Sequence, residues 1–164
     1  MRNVFCGLML LGALMAAGAF IPRASAEQIE AGELVLSGIF ARATPPSAAT
    51  GAAYLTIANN GAEDDRLISA TTAAGQEVQI HQVEEVDDVM TMRQLPDGVL
   101  IPAGGSVVLE PGGIHLMIMG LSGPLNKGEA LDMVLTFERA GEVNVNIDIL
   151  AIGARSAPAE DSKP

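Results

Sequence analysis

Soft metal-binding side chains are concentrated in two short windows of this sequence. Both histidines, and four of the five methionines that follow residue 26, lie either in QIHQVEEVDDVMTMRQ (residues 79–94) or in GGIHLMIMG (residues 112–120). A thioether sulfur is soft and uncharged, so it prefers Cu(I) to hard ions such as Ca²⁺ or Mg²⁺. Zinc normally requires thiolates, carboxylates or additional histidines. The donor set therefore favours a Cu(I) site.

A metal-free interpretation fits the same residue types. Methionine is a common filler of protein cores, and a single histidine on a strand is usually exposed or hydrogen-bonded. Met90 and Met119 are candidates for this packing role, and they are otherwise candidate accessory ligands. Spacing alone leaves both interpretations open.

Strand periodicity places the donors of the second window. Successive side chains of a β-strand point to opposite faces of the sheet. In residues 114–119 this alternation puts three aliphatic side chains on one face and His115, Met117 and Met119 on the other. His115 and Met117 would be about 7 Å apart along the strand. One ion reaches both only at a bend or a strand end, and the preceding Gly112-Gly113 pair would permit a bend.

The first window reads as two strands joined by an acidic turn. In residues 77–83, Val78 and Ile80 share one face and His81 points to the other, and in the next segment Met90 and Met92 share a face. If Glu84–Asp88 makes the turn, His81 and Met92 lie on neighbouring antiparallel strands.

Turn-forming residues divide the rest of the chain into short segments, which favours an all-β sandwich or barrel. Apolar alternation predicts strands at 33–41, 52–58, 67–71, 76–83, 89–94, 106–109, 130–138 and 142–149. The last two form a hairpin across residues 139–141, and no segment supports a long helix.

The first 26 residues have the layout of a secretory signal peptide. Arg2 precedes an uncharged run from residue 4 to residue 21, and Ala24-Ser25-Ala26 is a small-residue cleavage site. Cleavage is expected, with an uncleaved membrane anchor as the alternative. Cys6 lies too close to the start, with the wrong neighbours, for a lipoprotein site. We therefore expect an exported copper-binding β-domain at 27–153, not membrane-spanning, and a disordered polar tail at 154–164.

Charge and cysteine content exclude several functions. All 20 acidic residues, but only 7 of the 9 basic ones, follow residue 26, and an acidic chain without a basic patch is a poor partner for nucleic acid. The mature sequence contains no cysteine, which excludes thiol chemistry and the thiolate ligand of a blue-copper electron carrier. No Ser-His-Asp arrangement has local support, and the acidic run at 84–88 is interpreted as a solvated turn.

The order of the donors resembles the motif of the PCuAC family of periplasmic copper chaperones: His81, ten residues, Met92, a longer gap, then His115-Leu116-Met117. Three stretches are also similar to that family: ARATPPSAATGAAYLTIANNGAEDDRLISATT, PAGGSVVLEPGGIHLMIMGLSGPL and LTFERAGEVNVNI. The resemblance extends from about residue 33 to residue 149. The gap between Met92 and His115 is one residue longer than usual, Phe40 replaces an expected tryptophan, and Ile114 replaces a common tyrosine. The last two differences affect packing near the site rather than ligation.

This resemblance implies a cupredoxin-like Greek-key β-sandwich or barrel that binds one Cu(I) per chain. The implied ligands are His81, Met92, His115 and Met117. The implied function is copper delivery in the periplasm by ligand exchange, toward the CuA centre of cytochrome c oxidase and often alongside Sco-type proteins. No substrate bond is made or broken, so the resemblance implies a carrier and not an enzyme. The alternatives are copper storage or tolerance, and a metal-free structural β-sandwich. The C-terminal tail has no histidine or methionine for an additional Cu(II) site.

Overall fold

Eleven β-strands and no helix account for the regular structure of the described residues, which confirms the all-β prediction. A computed structural model describes residues 28–86 and 89–158. In chain order the strands are β1 Ile29–Ala31, β2 Leu34–Arg42, β3 Thr50–Asn59, β4 Asp65–Thr72, β5 Glu77–Val86, β6 Val89–Gln94, β7 Val99–Ile101, β8 Ser106–Leu109, β9 Ile114–Met119, β10 Ala130–Phe137 and β11 Gly141–Leu150.

The strands form one sheet that closes into a barrel. Hydrogen-bonded neighbours follow the order β6-β5-β9-β8-β3-β2-β11-β10-β4-β7, and β1 pairs with β2. A further pairing of β4 with β5, at Ala70 and Val78, closes the path from β5 round to β4. Closure pairs strand edges that would otherwise be open, and it leaves β6 and β7 as flanking strands.

Two-residue periodicity determines which side chains fill the barrel. Along β11, four alternating aliphatic side chains are buried, and the polar residues between them are exposed. The predicted hairpin at 139–141 is present as the β10–β11 pair. Met133 of β10 is only 1% exposed, so the one methionine after residue 26 that lies outside the two windows is a core residue. Burial of each such large apolar side chain stabilises the fold by about 1.5–3 kcal/mol.

The wall that carries both windows is formed by β3, β9, β5 and β6. Ile80 of β5 and Leu116 and Ile118 of β9 point into the core and are at most 4% exposed. Because side chains alternate, the residues next to them in β5 and β9 point to the outer face of the barrel. The predicted two-faced strand at 114–119 is therefore confirmed.

The turn of the first window is shorter than the sequence predicts. The acidic run predicts a turn that begins at Glu84, but this residue lies within β5, opposite Thr91 of β6, and β5 continues to Val86. The Glu84 carboxylate accepts a hydrogen bond from Arg93 at 2.8 Å, which favours the extended pairing. Residues 87–88 lie outside the described part of the chain. The predicted antiparallel arrangement of the two strands is confirmed.

The chain after β11 is hydrogen-bonded to the end of β2. Residues 151–158 contain no helix or strand, and the carbonyl oxygen of Ala154 accepts a hydrogen bond from Arg42 Nε at 2.6 Å. The predicted signal peptide at 1–26 and the last six residues of the predicted tail lie outside the described residues. Within residues 28–86 and 89–158, no helix has the length and hydropathy needed to span a bilayer.

Candidate metal centre

The two histidines of the predicted site face each other across neighbouring strands. His81 of β5 and His115 of β9 are direct partners in the antiparallel register. Their ring centroids are 6.0 Å apart, and the ring planes meet at 69°. A metal–nitrogen bond of about 2 Å puts an imidazole centre about 3 Å from a bound ion. Two rings at this separation can therefore share one ion that lies between them.

Both predicted methionine ligands flank this pair on the same outer face. Met117 follows His115 by two residues in β9, so the two side chains share a face. Met92 of β6 is the cross-strand partner of Val83, which itself lies two residues from His81. Cross-strand partners project to the same side of a sheet. The fold thus brings all four predicted residues to one face, although they come from three strands.

The candidate accessory residues lie at the two ends of this row of donors. Met90 is paired with Glu85 and lies two residues from Met92, on the same face and farther from His81. Met119 is paired with Glu77 and lies two residues from Met117, on the same face and farther from His115. Each is therefore about 7 Å from the nearer predicted ligand along its strand.

A shallow depression of about 370 Å³ opens at this face. Its lining includes Met92, His115 and Met117 together with Tyr54 and Arg42, and the loops before β3 and before β9 form its rim. His81 does not line the depression, and its ring, on β5, lies next to the ring of His115. The side chain of Met92 is 50% exposed and that of His115 only 5%. The depression therefore has one accessible ligand and one deep ligand.

Aromatic packing fixes the position of His115. The Tyr54 ring lies 6.3 Å from the His115 ring, and the Phe40 ring lies 4.9 Å from that of Tyr54. The Arg42 guanidinium lies over the Tyr54 ring, 5.4 Å from its centroid. Phe40 thus packs against Tyr54, as expected for a position that supports the site without ligating.

The rim before β3 is fixed by two reciprocal hydrogen bonds. The backbone N–H of Thr44 donates to the carbonyl of Leu125 at 2.9 Å. The N–H of Leu125 donates in turn to the hydroxyl of Thr44 at 3.0 Å. Pro45, the next residue, is restricted in φ. The loop that borders the depression is thereby anchored to the chain that follows β9.

Hydrogen bonds distinguish the ring nitrogens of the two histidines. His115 Nδ1 donates to the backbone carbonyl of Gly113 at 3.2 Å, so its Nε2 carries the free lone pair. His81 Nε2 lies 2.9 Å from the Gln79 side-chain oxygen. Among the described residues, His81 Nδ1 is buried and has no hydrogen-bond partner. Buried polar atoms are normally bonded, so this orphaned nitrogen fits a site that receives a metal ion.

Burial and the neighbouring His115 both favour the neutral form of His81, which is the form that a metal requires. Burial lowers the pKa of His81 below its ordinary value, and the neighbouring His115 lowers it further. An imidazole binds a metal only when a ring nitrogen is deprotonated. Burial raises the pKa of Tyr54, an effect that Arg42 opposes through its charge.

The donor set matches a soft monovalent ion better than zinc. Within the described part of the chain, no three His, Cys, Asp or Glu side chains come together as a metal-binding group. The imidazoles are accompanied by thioethers, which are ligands of Cu(I). Carboxylates or thiolates, which zinc sites usually add to histidine, are absent from this group.

Sequence reasoning missed three residues around the site. Gln79 contacts His81, Tyr54 packs against His115, and Arg42 packs over the ring of Tyr54. Alternation along β5 already places Gln79 on the face of His81, so this neighbour was detectable from spacing. The contact of Tyr54 with His115 depends on the β3–β9 pairing, which no local pattern encodes.

Solved structures with the same fold include copper-bound domains. The copper-bound PCuAC domain from PmoF2 is 26% identical, with a TM-score of 0.66 over 76% of this chain and 98% of that domain. The Cu(I) form of DR1885 from Deinococcus radiodurans is 28% identical, with a TM-score of 0.58 over 77% of this chain and 83% of the other. The predicted cupredoxin-like fold is confirmed.

Sequence comparison identifies the family. A curated relative, "Putative lipoprotein Lxx21020" from Leifsonia xyli subsp. xyli, is 35% identical over 86 residues, which is 52% of this chain and 52% of the relative. The chain thus matches about half the length of that relative. Residues 34–149 match the family model described as "Putative lipoprotein LpqE-like". Because this match spans most of the chain and nearly the whole barrel, the protein belongs to the LpqE-like family.

Proposed function

We propose that this protein is a Cu(I) chaperone that acts outside the cytoplasm. In this proposal one Cu(I) is held by His81, Met92, His115 and Met117. The observation that carries it is the direct pairing of His81 with His115, together with the buried His81 Nδ1, which has no hydrogen-bond partner among the described residues. The copper-bound PCuAC domain with the same fold supports it.

The difference in exposure between ligands gives the transfer mechanism. Met92 is half exposed and lies on β6, which pairs with β5 alone. An acceptor ligand can therefore displace Met92 first, while the deeper His115 still holds the ion. Thioethers and neutral imidazoles are uncharged donors, so no buried ligand charge is left behind when the ion leaves. Copper is the cargo of this exchange and no substrate bond changes, so the protein is a carrier and not an enzyme.

The proposed partner is a copper acceptor in the same compartment. We assign the CuA domain of cytochrome c oxidase as the acceptor, with Sco-type proteins as further partners in assembly of that centre. The predicted N-terminal signal peptide and the lipoprotein description of the family support export. We propose the periplasm as the compartment, reached after cleavage of the signal peptide.

Binding is tested by an anaerobic Cu(I) titration of residues 27–164 against a competing chelator. We expect one tight equivalent in the parent, with strong weakening in both Met92→Ala and His115→Ala. Met133→Leu is the matched control, because Met133 is a core residue of β10 that does not line the depression. Binding that is indifferent to both ligand substitutions would leave a metal-free β-sandwich as the better account.

Delivery is tested separately by mixing the Cu(I)-loaded protein with an apo-CuA domain. The expected result is appearance of copper in the acceptor at a rate that exceeds spontaneous dissociation from the donor. Retention of copper under these conditions would contradict delivery to CuA and would instead support storage or tolerance.

A further inference from the structure

The two nitrogens of His81 have unequal surroundings. Nε2 lies 2.9 Å from Gln79 Oε1, whereas Nδ1 is buried without a partner among the described residues. A neutral imidazole carries one N–H and one lone pair, and its hydrogen bonds determine which nitrogen has the proton. The side chain of Gln79 is therefore in a position to select the tautomer of His81.

The two possible tautomers of His81 differ in the group that Nδ1 presents in its buried position, either a lone pair or an N–H. If Nε2 carries the proton, it donates to the Gln79 oxygen, and Nδ1 presents a lone pair. If Nδ1 carries the proton, the Gln79 amide must turn its NH₂ group toward Nε2, and a buried N–H is left without an acceptor. A cation can satisfy a buried lone pair but not a buried N–H. The first tautomer is therefore the one compatible with metal binding at Nδ1.

We propose that Gln79 is a positioning residue that holds the proton of His81 on Nε2, so that Nδ1 is the nitrogen that binds copper. This inference rests on the proposed Cu(I) site and adds the identity of the ligating atom. Hydrogen bonds from a second shell of residues typically orient metal-binding histidines in this way.

The two histidines would then bind the ion through different nitrogens. His115 donates from Nδ1 to the Gly113 carbonyl, which accepts only, so Nε2 is the nitrogen left to bind. The backbone fixes the tautomer of His115, whereas a replaceable side chain fixes that of His81. The strand register supports the same assignment, because Gln79 is the partner of Met117 and lies on the face of His81.

Three variants of Gln79 separate the hydrogen bond from other properties of the side chain. Gln79→Leu keeps the approximate size and removes the acceptor. Gln79→Glu keeps an acceptor for the Nε2 proton and is the conservative variant expected to rescue the tautomer. Gln79→Ala provides a second acceptor-free variant if the leucine variant does not fold.

The primary readout is the tautomeric state in the copper-free protein. Long-range ¹H–¹⁵N NMR spectra of the ¹⁵N-labelled mature chain resolve the ring nitrogens, and only two histidines contribute. We expect the Nε2–H form for His81 and the Nδ1–H form for His115 in the parent. Loss of the acceptor should convert His81 to a tautomer mixture without change at His115, and Gln79→Glu should keep the parent state. An Nδ1–H form of His81 in the parent, or no response to loss of the acceptor, would overturn the proposal.

The secondary readout is Cu(I) affinity measured by competition with a chelator. Loss of a second-shell partner typically lowers metal affinity by about 10- to 100-fold, so we expect this loss in the acceptor-free variant and near-parental affinity in Gln79→Glu. Parental affinity in the acceptor-free variant would contradict the positioning role while leaving the copper site intact. Absence of copper binding in the parent would instead contradict the proposed function, and the tautomer of the copper-free protein is measured independently of it.

Discussion

His81 and His115 stand directly opposite each other on β5 and β9, with ring centroids 6.0 Å apart. The two histidines are 34 positions apart in the sequence, and the pairing of β5 with β9 brings them together. Because the surrounding strands close into a barrel, the two rings are held by a continuous backbone network. A preformed pair of this kind limits the rearrangement that accompanies metal binding.

Met92 and Met90 provide a matched pair of variants on β6. Both side chains lie on the same face and are 50% and 62% exposed. We expect Met92→Ala to weaken Cu(I) binding at least tenfold and Met90→Ala to change it little, because Met90 is one alternate position farther from His81. Neither substitution should change the free energy of unfolding by more than about 0.5 kcal/mol, as is usual for surface sites. Competition titrations and denaturant unfolding measure both quantities, and equal losses of affinity would contradict the assignment of Met92.

Tyr54 is an intrinsic reporter of the site. It is the only tyrosine in a chain without tryptophan, and its ring lies 6.3 Å from that of His115. We expect Cu(I) loading to decrease tyrosine emission until one equivalent has been added, because the ion would bind close to this ring. The His115→Ala variant should lose this response. A change in emission that continues past one equivalent would indicate binding elsewhere.

Alkaline pH should destabilise the fold through Tyr54. Burial raises its pKa above the ordinary value of about 10, so above that pH the folded state retains a proton that the unfolded chain releases. The folded state then binds more protons, and the free energy of unfolding falls as the pH rises from about 10 toward the raised pKa. Absorbance of the phenolate gives the pKa, and denaturant unfolding gives the stability.

Arg42 provides the control for this titration. Its charge favours the phenolate, so Arg42→Gln should raise the pKa of Tyr54 further. A pKa of Tyr54 below its ordinary value in the parent protein would contradict the burial of this hydroxyl.

Gly98, in the turn between β6 and β7, tests the stability of the barrel independently of the site. Its φ is +75°, and an added Cβ would collide with the Leu67 carbonyl oxygen. Gly104 also has a positive φ, of +64°, but a Cβ added there would have no atom within 4 Å. Gly98→Ala should therefore destabilise the protein by about 1–3 kcal/mol and by more than Gly104→Ala. Copper affinity should be unchanged in both, and thermal unfolding of the two variants makes the comparison. Equal losses of stability in the two variants would show that the positive φ alone, and not the collision, causes the destabilisation.

Local sequence pattern predicted the parts of the site that lie within single strands or within one hairpin. Alternation placed His115, Met117 and Met119 on one face, and the β5–β6 hairpin placed His81 near Met92. The local pattern predicted a turn from Glu84, which was wrong. Glu84 lies in β5, because cross-strand pairing and the contact with Arg93 extend the hairpin.

The register that brings the two windows together could not be read from alternation. Three other strands separate β5 from β9 in the sequence. A shift of one strand by two residues keeps every side chain on the same face of the sheet, so alternation cannot distinguish between such registers. The contact of Tyr54 with His115 and the closure of β4 on β5 depend on the same long-range pairing. The resemblance to a known family supplied the ligand set that the local patterns left open.

X-ray absorption at the copper K-edge of the anaerobically loaded protein tests the central claim most directly. A Cu(I) edge with two sulfur and two nitrogen neighbours is the result that this account predicts. Met92→Ala and Met117→Ala should each remove one sulfur neighbour, and Met90→Ala should remove none. A copper ion without sulfur neighbours, or sulfur neighbours unaffected by both ligand substitutions, would contradict the four-ligand site.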